Sequence, residues 1–200
     1  IDRGRNRILA VTEPISQEQA DATNGGTRLH AIDIASGANQ DLGILNKAVH
    51  DSSPSFFVDP KGDCWFSLRS ETGALFRVDG KTLKIDRYAD ALPKAGDNLW
   101  EDSNAMIWSR PIGDGSRCVL VKGDRWLWQF DPSRPMAEAF TRLAEIGPAG
   151  LGTALAGNRV YFVLSADRKP RHERYFDKRD DHHLYSVSLA DNTLTDHGLI

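Results

Sequence analysis

Arg28-Leu29-His30-Ala31-Ile32-Asp33 returns along the chain as Ala74-Leu75-Phe76-Arg77-Val78-Asp79, Trp126-Leu127-Trp128-Gln129-Phe130-Asp131 and His183-Leu184-Tyr185-Ser186-Val187-Ser188. The shared pattern is a leucine, a ring residue, a variable position, an apolar position and then Asp or Ser. The anchors Leu29, Leu75, Leu127 and Leu184 stand 46, 52 and 57 residues apart. Each copy is short and rich in aromatic or β-branched residues. Most are followed by turn formers such as Ser36-Gly37, Asp79-Gly80 or Ala190-Asp191-Asn192, so each reads as a strand ending in a tight turn.

The rest of each repeat fills in around that strand. An apolar run precedes it at residues 8–11, 64–68, 118–121 and 160–164. A further strand follows, closing on an acidic residue, one other residue and Gly in Asp41-Leu42-Gly43, Glu145-Ile146-Gly147 and Asp196-His197-Gly198; the second repeat ends instead in Lys84-Ile85-Asp86-Arg87-Tyr88. An innermost strand is expected at 55–58, 107–111 and 151–155, each ahead of a turn, and is missing from the first repeat. No amphipathic helical stretch competes. Four strands per unit at this period predict an all-β chain folded as a β-propeller with four-stranded antiparallel blades. The expected boundaries are about 1–45 for an incomplete blade 1, about 46–90 for blade 2, about 91–147 for blade 3 and about 148–200 for blade 4. Propellers close with about four to eight blades. An incomplete unit at one end predicts an arc of a larger, six- to eight-bladed ring whose remaining blades would be partners of this one.

Composition narrows the classes further. With 40% hydrophobic and 26% charged residues, 17 Gly and 9 Pro, the 200 residues have the mix of a globular, turn-rich domain. No apolar stretch approaches the roughly 20 residues of a membrane-spanning helix. Lys and Arg number 25 against 28 Asp and Glu, a formal charge of -3, which argues against a nucleic-acid partner held by counterion release. Cys64 and Cys118 make no disulfide framework and read as buried small hydrophobes.

Leu29-His30-Ala31-Ile32-Asp33 with Ser36-Gly37, and Phe57-Val58-Asp59-Pro60-Lys61-Gly62-Asp63-Cys64-Trp65-Phe66-Ser67 with Leu75-Phe76-Arg77-Val78-Asp79, resemble repeats of the broad YVTN, SMP-30 and virginiamycin B lyase-like propeller superfamily. That resemblance covers the chain as a series of blades. It implies a propeller belonging to a group of lactonases, lyases, quinoprotein dehydrogenases and binding domains, often exported, so a periplasmic or secreted location is expected. No catalytic residue set of any member matches, and none is carried over.

Ligand sites in propellers gather where the loops from second to third strand, and from blade to blade, surround the channel. Two inserts fall there. Residues 13–26 carry Glu13, Glu18 and Asp21, and residues 165–181 carry alternating cations and anions. His50, in the inter-blade stretch 46–54, is the candidate acid or base. Arg69, Arg110, Arg168, Arg171 and Arg174 present planar forks suited to carboxylate, sulfate or phosphate, with Tyr175 and Trp100 placed to stack on a sugar ring. His172, Glu173, His182 and His183 have the composition of a site for a divalent metal. Neighbouring strand residues point to opposite faces, so at most one of His182 and His183 can serve, leaving His172 and His182 as the metal candidates. His30 shares its column with Phe76, Trp128 and Tyr185, and His197 shares its column with Leu42 and Ile146, so both read as packing residues. There is no Gly-x-Ser-x-Gly elbow, phosphate-binding Gly-Lys-Ser loop or paired-cysteine metal motif. The expectation is a domain that binds a small anionic or saccharide-like ligand on its loop face. The alternatives are a lyase or lactonase-type hydrolase with His50 as base, and a protein-interaction scaffold.

Overall fold

The structure is a computed structural model and describes residues 6–14, 18, 25–47, 55–68, 71, 73–94, 106–122, 126–146, 153–165 and 182–200. Blade 1 is a three-stranded antiparallel sheet of β1 (Arg7–Thr12), β2 (Thr27–Asp33) and β3 (Asn39–Asn46). Blade 2 is a four-stranded meander of β4 (Phe57–Val58), β5 (Cys64–Phe66), β6 (Leu75–Val78) and β7 (Ile85–Tyr88). Blade 3 repeats the order with β8 (Met106–Ile112), β9 (Arg117–Lys122), β10 (Trp126–Phe130) and β11 (Phe140–Glu145). Blade 4 does so with β12 (Thr153–Ala156), β13 (Arg159–Ser165), β14 (His182–Ser188) and β15 (Leu194–Leu199). The chain is therefore all-β, with the four-stranded antiparallel blades of a β-propeller, and blade 1 lacks the innermost strand among the described residues.

The repeat pattern is a packing code. In a strand, successive side chains face opposite sides of the sheet. The leucine of each repeat points toward the following blade and the ring residue toward the preceding one. Leu29 of blade 1 joins Phe66 and Phe76 of blade 2; Leu75 joins Trp128 and Phe130 of blade 3; Leu127 joins Phe162 and Tyr185 of blade 4. All three leucines are 0% exposed, and the three facing rings are at most 4% exposed. At the two ends the same columns are half-exposed, in Leu184 of blade 4 and His30 of blade 1. Among the described residues no hydrophobic core joins blade 4 to blade 1. Cys64 and Cys118 lie buried as thiols in two of the inter-blade cores.

Turn chemistry is repeated as faithfully as the cores. The Asp closing the third strand accepts hydrogen bonds from the turn that follows. Asp33 Oδ1 accepts from Ser36 N and Oγ, both at 2.7 Å, and Asp131 Oδ1 accepts from Ser133 N at 3.0 Å. Asp79 Oδ1 accepts from Lys81 N, Thr82 N and Thr82 Oγ1 within 3.0 Å. These bonds offer the chain a local turn in place of further ladder pairing. The acidic-x-Gly signature of the outer strands is a bulge. Asp41 Oδ1 and Asp196 Oδ1 each accept the amide two residues on, at 2.8 Å, while Gly43 and Gly198 adopt φ of 106° and 88°. The pairing of β2 with β3 and of β14 with β15 slips in register beside them.

The innermost strand of blade 2 is shorter than the sequence predicts. It starts two residues late, at Phe57, and ends at Val58 as expected, where Asp59 Oδ1 collects the amides of Lys61 and Asp63 at 2.9 and 3.0 Å and folds the chain into the next turn.

Candidate functional site

Antiparallel connectivity decides which residues share an end of the blades. Turns from first to second strand and from third to fourth emerge at one end. The second-to-third and blade-to-blade connections emerge at the other, the end expected to carry the ligand site. Thr12 and Thr27, and Ser165 and His182, which flank the two inserts, therefore mark that second end.

The innermost strands of blades 2 and 3 meet along the channel side, where β4 runs beside β8. Ser109 Oγ donates to the Phe56 carbonyl at 3.2 Å and lies 2.8 Å from Ser55 Oγ, so hydroxyls bridge the two strands where no backbone ladder does. One residue further on β8 is Arg110, an exposed arginine on an innermost strand. Its guanidinium lies 5.4 Å from the centre of the Trp108 ring, and Nη1 donates to its own strand at the Ser109 carbonyl, 2.7 Å away. These contacts steady the guanidinium, which stays exposed with further N–H donors. Trp108 Nε1 is buried with no hydrogen-bond partner, a costly arrangement for an indole N–H. Arg110 thus presents the chemistry of an anion-accepting surface, with a buried, unmatched indole N–H beside it.

The seam between blades 2 and 3 holds, at the insert-bearing end, a cation that the sequence reading passed over. Lys122, at the end of β9, is 0% exposed; its Nζ donates to the Pro93 carbonyl and lies 5.2 Å over the Trp128 ring. A Lys at the end of a strand reads as a solvated flank, and nothing local in the sequence announces the aromatic and carbonyl that enclose it.

At the opposite end, between the turns of blades 2 and 3, lies a groove of about 400 Å³. Its blade 2 wall is a charge network. Arg77 donates from Nε and Nη2 to Asp63 Oδ2 at 2.9 and 2.7 Å, from Nη2 to Asp79 at 3.2 Å and from Nη1 to Asp86 at 3.1 Å. Asp63 Oδ1 accepts the Gly80 amide at 2.9 Å, and Asp59 Oδ2 accepts the Trp65 indole N–H at 3.3 Å. The Asp63 hydrogen bonds raise the Arg77 pKa further. The Thr82 amide and hydroxyl, with the Lys81 amide, hold Asp79 down at about 2. Trp65 stacks on Tyr88 with ring centres 6.0 Å apart and carries the Arg77 guanidinium 5.8 Å from its own centre. Trp65 is both 4% exposed and part of this wall.

Of the residues singled out in the sequence, the structure places Arg110, His182, His183, His30 and His197. His50, Arg69, Trp100, Arg168, Arg171, His172, Glu173, Arg174 and Tyr175 lie outside the described residues. His183 Nδ1 is 2.9 Å from both carboxylate oxygens of Asp196, so this imidazole is held by its own blade. His197, expected as a packing residue, is exposed; its Nε2 is 2.9 Å from Ser186 Oγ and its ring stacks against Tyr161. His30 occupies the ring column as expected, but on the open face of blade 1. Its Nε2 is 3.1 Å from Thr12 Oγ1 and its Nδ1 is buried without a partner. Among the described residues no group of three or more His, Cys, Asp and Glu converges to hold a metal ion, so the residues placed here do not fit a metal centre.

Blades, inter-blade cores and turn ends define a β-propeller, and comparison with solved structures agrees. An oligogalacturonate lyase in complex with manganese superposes with a TM-score of 0.59 at 12% identity, over 97% of this chain and 50% of that one. The oligogalacturonate lyase from Vibrio parahaemolyticus gives 0.57 at 14%, over 97% and 51%. A puromycin hydrolase gives 0.54 at 15%, over 86% and 24%. The chain thus spans about half the length of the oligogalacturonate lyases it resembles. No protein-family model matches the sequence, and no curated protein matches it.

Proposed function

We propose that this β-propeller binds a small anionic or saccharide-like ligand at its channel, within an exported protein of the lyase- and lactonase-containing superfamily its repeats resemble. The observation that carries the reading is Arg110, an exposed guanidinium on an innermost strand, steadied by Trp108 and by its own backbone. A planar cation facing a channel suits a carboxylate better than a neutral sugar. The sequence-named arginines at 69, 168, 171 and 174, with Tyr175, would extend that surface. A second reading, a lyase acting on an acidic saccharide with His50 as base, draws support from the fold shared with oligogalacturonate lyases. No step of that reading is routed through a metal here.

Thermal unfolding with trigalacturonate, using maltotriose as the neutral control, tests both. A ligand at about a hundred times its dissociation constant adds roughly 2.7 kcal/mol to stability. The expected result is a shift with the acidic trisaccharide alone, reduced in Arg110→Ala. An equal shift in Arg110→Ala, or none with either sugar, overturns the anion reading. Loss of trigalacturonate with formation of a carbon–carbon double bond, abolished in His50→Ala, would establish the lyase; binding without turnover would dismiss it.

A further inference from the structure

The groove between the turns of blades 2 and 3 opens at the end of the blades opposite the insert-bearing end, and its chemistry is the reverse of the Arg110 wall. We propose that it is a separate binding site, built for a donor-rich organic cation, a guanidinium or ammonium group.

On the blade 3 wall, the Ser116 hydroxyl donates to Asp114 Oδ1 at 2.6 Å and the Ser133 hydroxyl donates to Asp131 Oδ1 at 2.5 Å. A hydroxyl has one proton, so both serines can only accept from a ligand. Asp114 brings its carboxylate to the same wall. On the facing wall Arg77 has its donors directed at Asp63, Asp79 and Asp86, and the Trp65 N–H is directed at Asp59. What the walls have left to offer is mostly lone pairs.

Charge and shape point the same way. The lining carries Asp59, Asp63 and Asp114 against Lys61 and Arg77; Arg77 is further matched by Asp79 and Asp86, the latter shared with Lys84, and Arg117 acts on Asp114, which leaves a small negative surplus. Tyr88 and Trp65 line the groove as a stacked pair, with Arg77 over the Trp65 ring. The groove also displays the chemistry it selects, since the protein's own Arg77 rests there on an indole face with a carboxylate across its fork. A second guanidinium, or an ammonium, entering beside Tyr88 would meet Asp114 and the two serine oxygens on the opposite wall. An anion would meet three carboxylates, and of the two lining cations Arg77 is already engaged by Asp63, Asp79 and Asp86. About 400 Å³ admits one such side chain or a small amine.

Isothermal titration of the full chain tests this with agmatine, with a capped Gly-Arg-Gly peptide and with galacturonate. Asp114 and Ser133 are both exposed turn residues, so Asp114→Asn and Ser133→Arg spare the core. Binding of agmatine or of the peptide is expected, weakened about tenfold in Asp114→Asn by loss of a charged acceptor. It should vanish in Ser133→Arg, whose added guanidinium fills the groove. Tighter binding of the peptide assigns the site to an arginine of a polypeptide partner, and tighter binding of agmatine to a small free cation. Failure of both cations to bind, or equal binding by parent and both variants, overturns the proposal. Galacturonate binding that survives Ser133→Arg reports on the channel site alone, so the two sites fail separately.

Discussion

Arg77 shows how one side chain sets the character of a surface. It stands at the variable position of its repeat, where Ala31, Gln129 and Ser186 stand in the other blades, so it is not required by the blade pattern. Here it gathers three carboxylates from three different strand ends, with side-chain exposures of 10% for Asp63, 27% for Asp79 and 25% for Asp86. Taking away one member of a largely buried ion pair strands the other without a counter-charge. Arg77→Met, which keeps the stem, is expected to cost about 3 kcal/mol in urea unfolding. A loss below about 1 kcal/mol, the value of an exposed pair, would show that backbone amides alone hold these turns. Cys118 makes the contrasting case, since burial pushes its thiol pKa up and keeps the nucleophilic thiolate from forming.

Elements in this fold are ended by side chains that capture backbone amides. Asp41 and Gly43 form the clearest pair, because the carboxylate takes the glycine amide while the glycine supplies a φ of 106° that other residues rarely adopt. A Cβ added at Gly43 would meet nothing within 4 Å, so any penalty there is conformational rather than steric. Gly43→Ala is expected to destabilise the chain by about 1–3 kcal/mol, read by thermal or denaturant unfolding. A neutral result would mean that the bulge is dispensable. This acidic-x-Gly signal was visible in the sequence, as were the strands and their order, because sheet geometry forces a period of two and a repeated column on whoever occupies it. The groove was not visible. Asp59, Tyr88, Asp114 and Ser133 come from four separate turns or strand ends of two blades, and no local motif records that they meet. Lys122 was missed for a related reason: its enclosure depends on Pro93, 29 residues away, and on an aromatic of the next strand.

At the scale of the whole molecule the same residue type has different weight according to whether a blade follows it. Leu127 and Leu184 occupy one column of the repeat. Leu127 is 0% exposed under blade 4, whereas Leu184 is half-exposed on the far face of that blade. A buried leucine cut back to alanine loses its transfer free energy and leaves a cavity, about 2–5 kcal/mol, and a half-exposed one loses only part of the first contribution. Leu127→Ala is therefore expected to cost several times more than Leu184→Ala in denaturant unfolding of the 200-residue chain. The ratio measures whether the arc is open in solution. If the two substitutions cost the same, something covers the end face of blade 4, and adding Leu184→Asp would then unfold or dissociate whatever sits there. If Leu184→Ala stays near neutral, stability resides in the three inter-blade cores, and the end columns at His30 and Leu184 are half-built seams that contribute only when a further blade completes them.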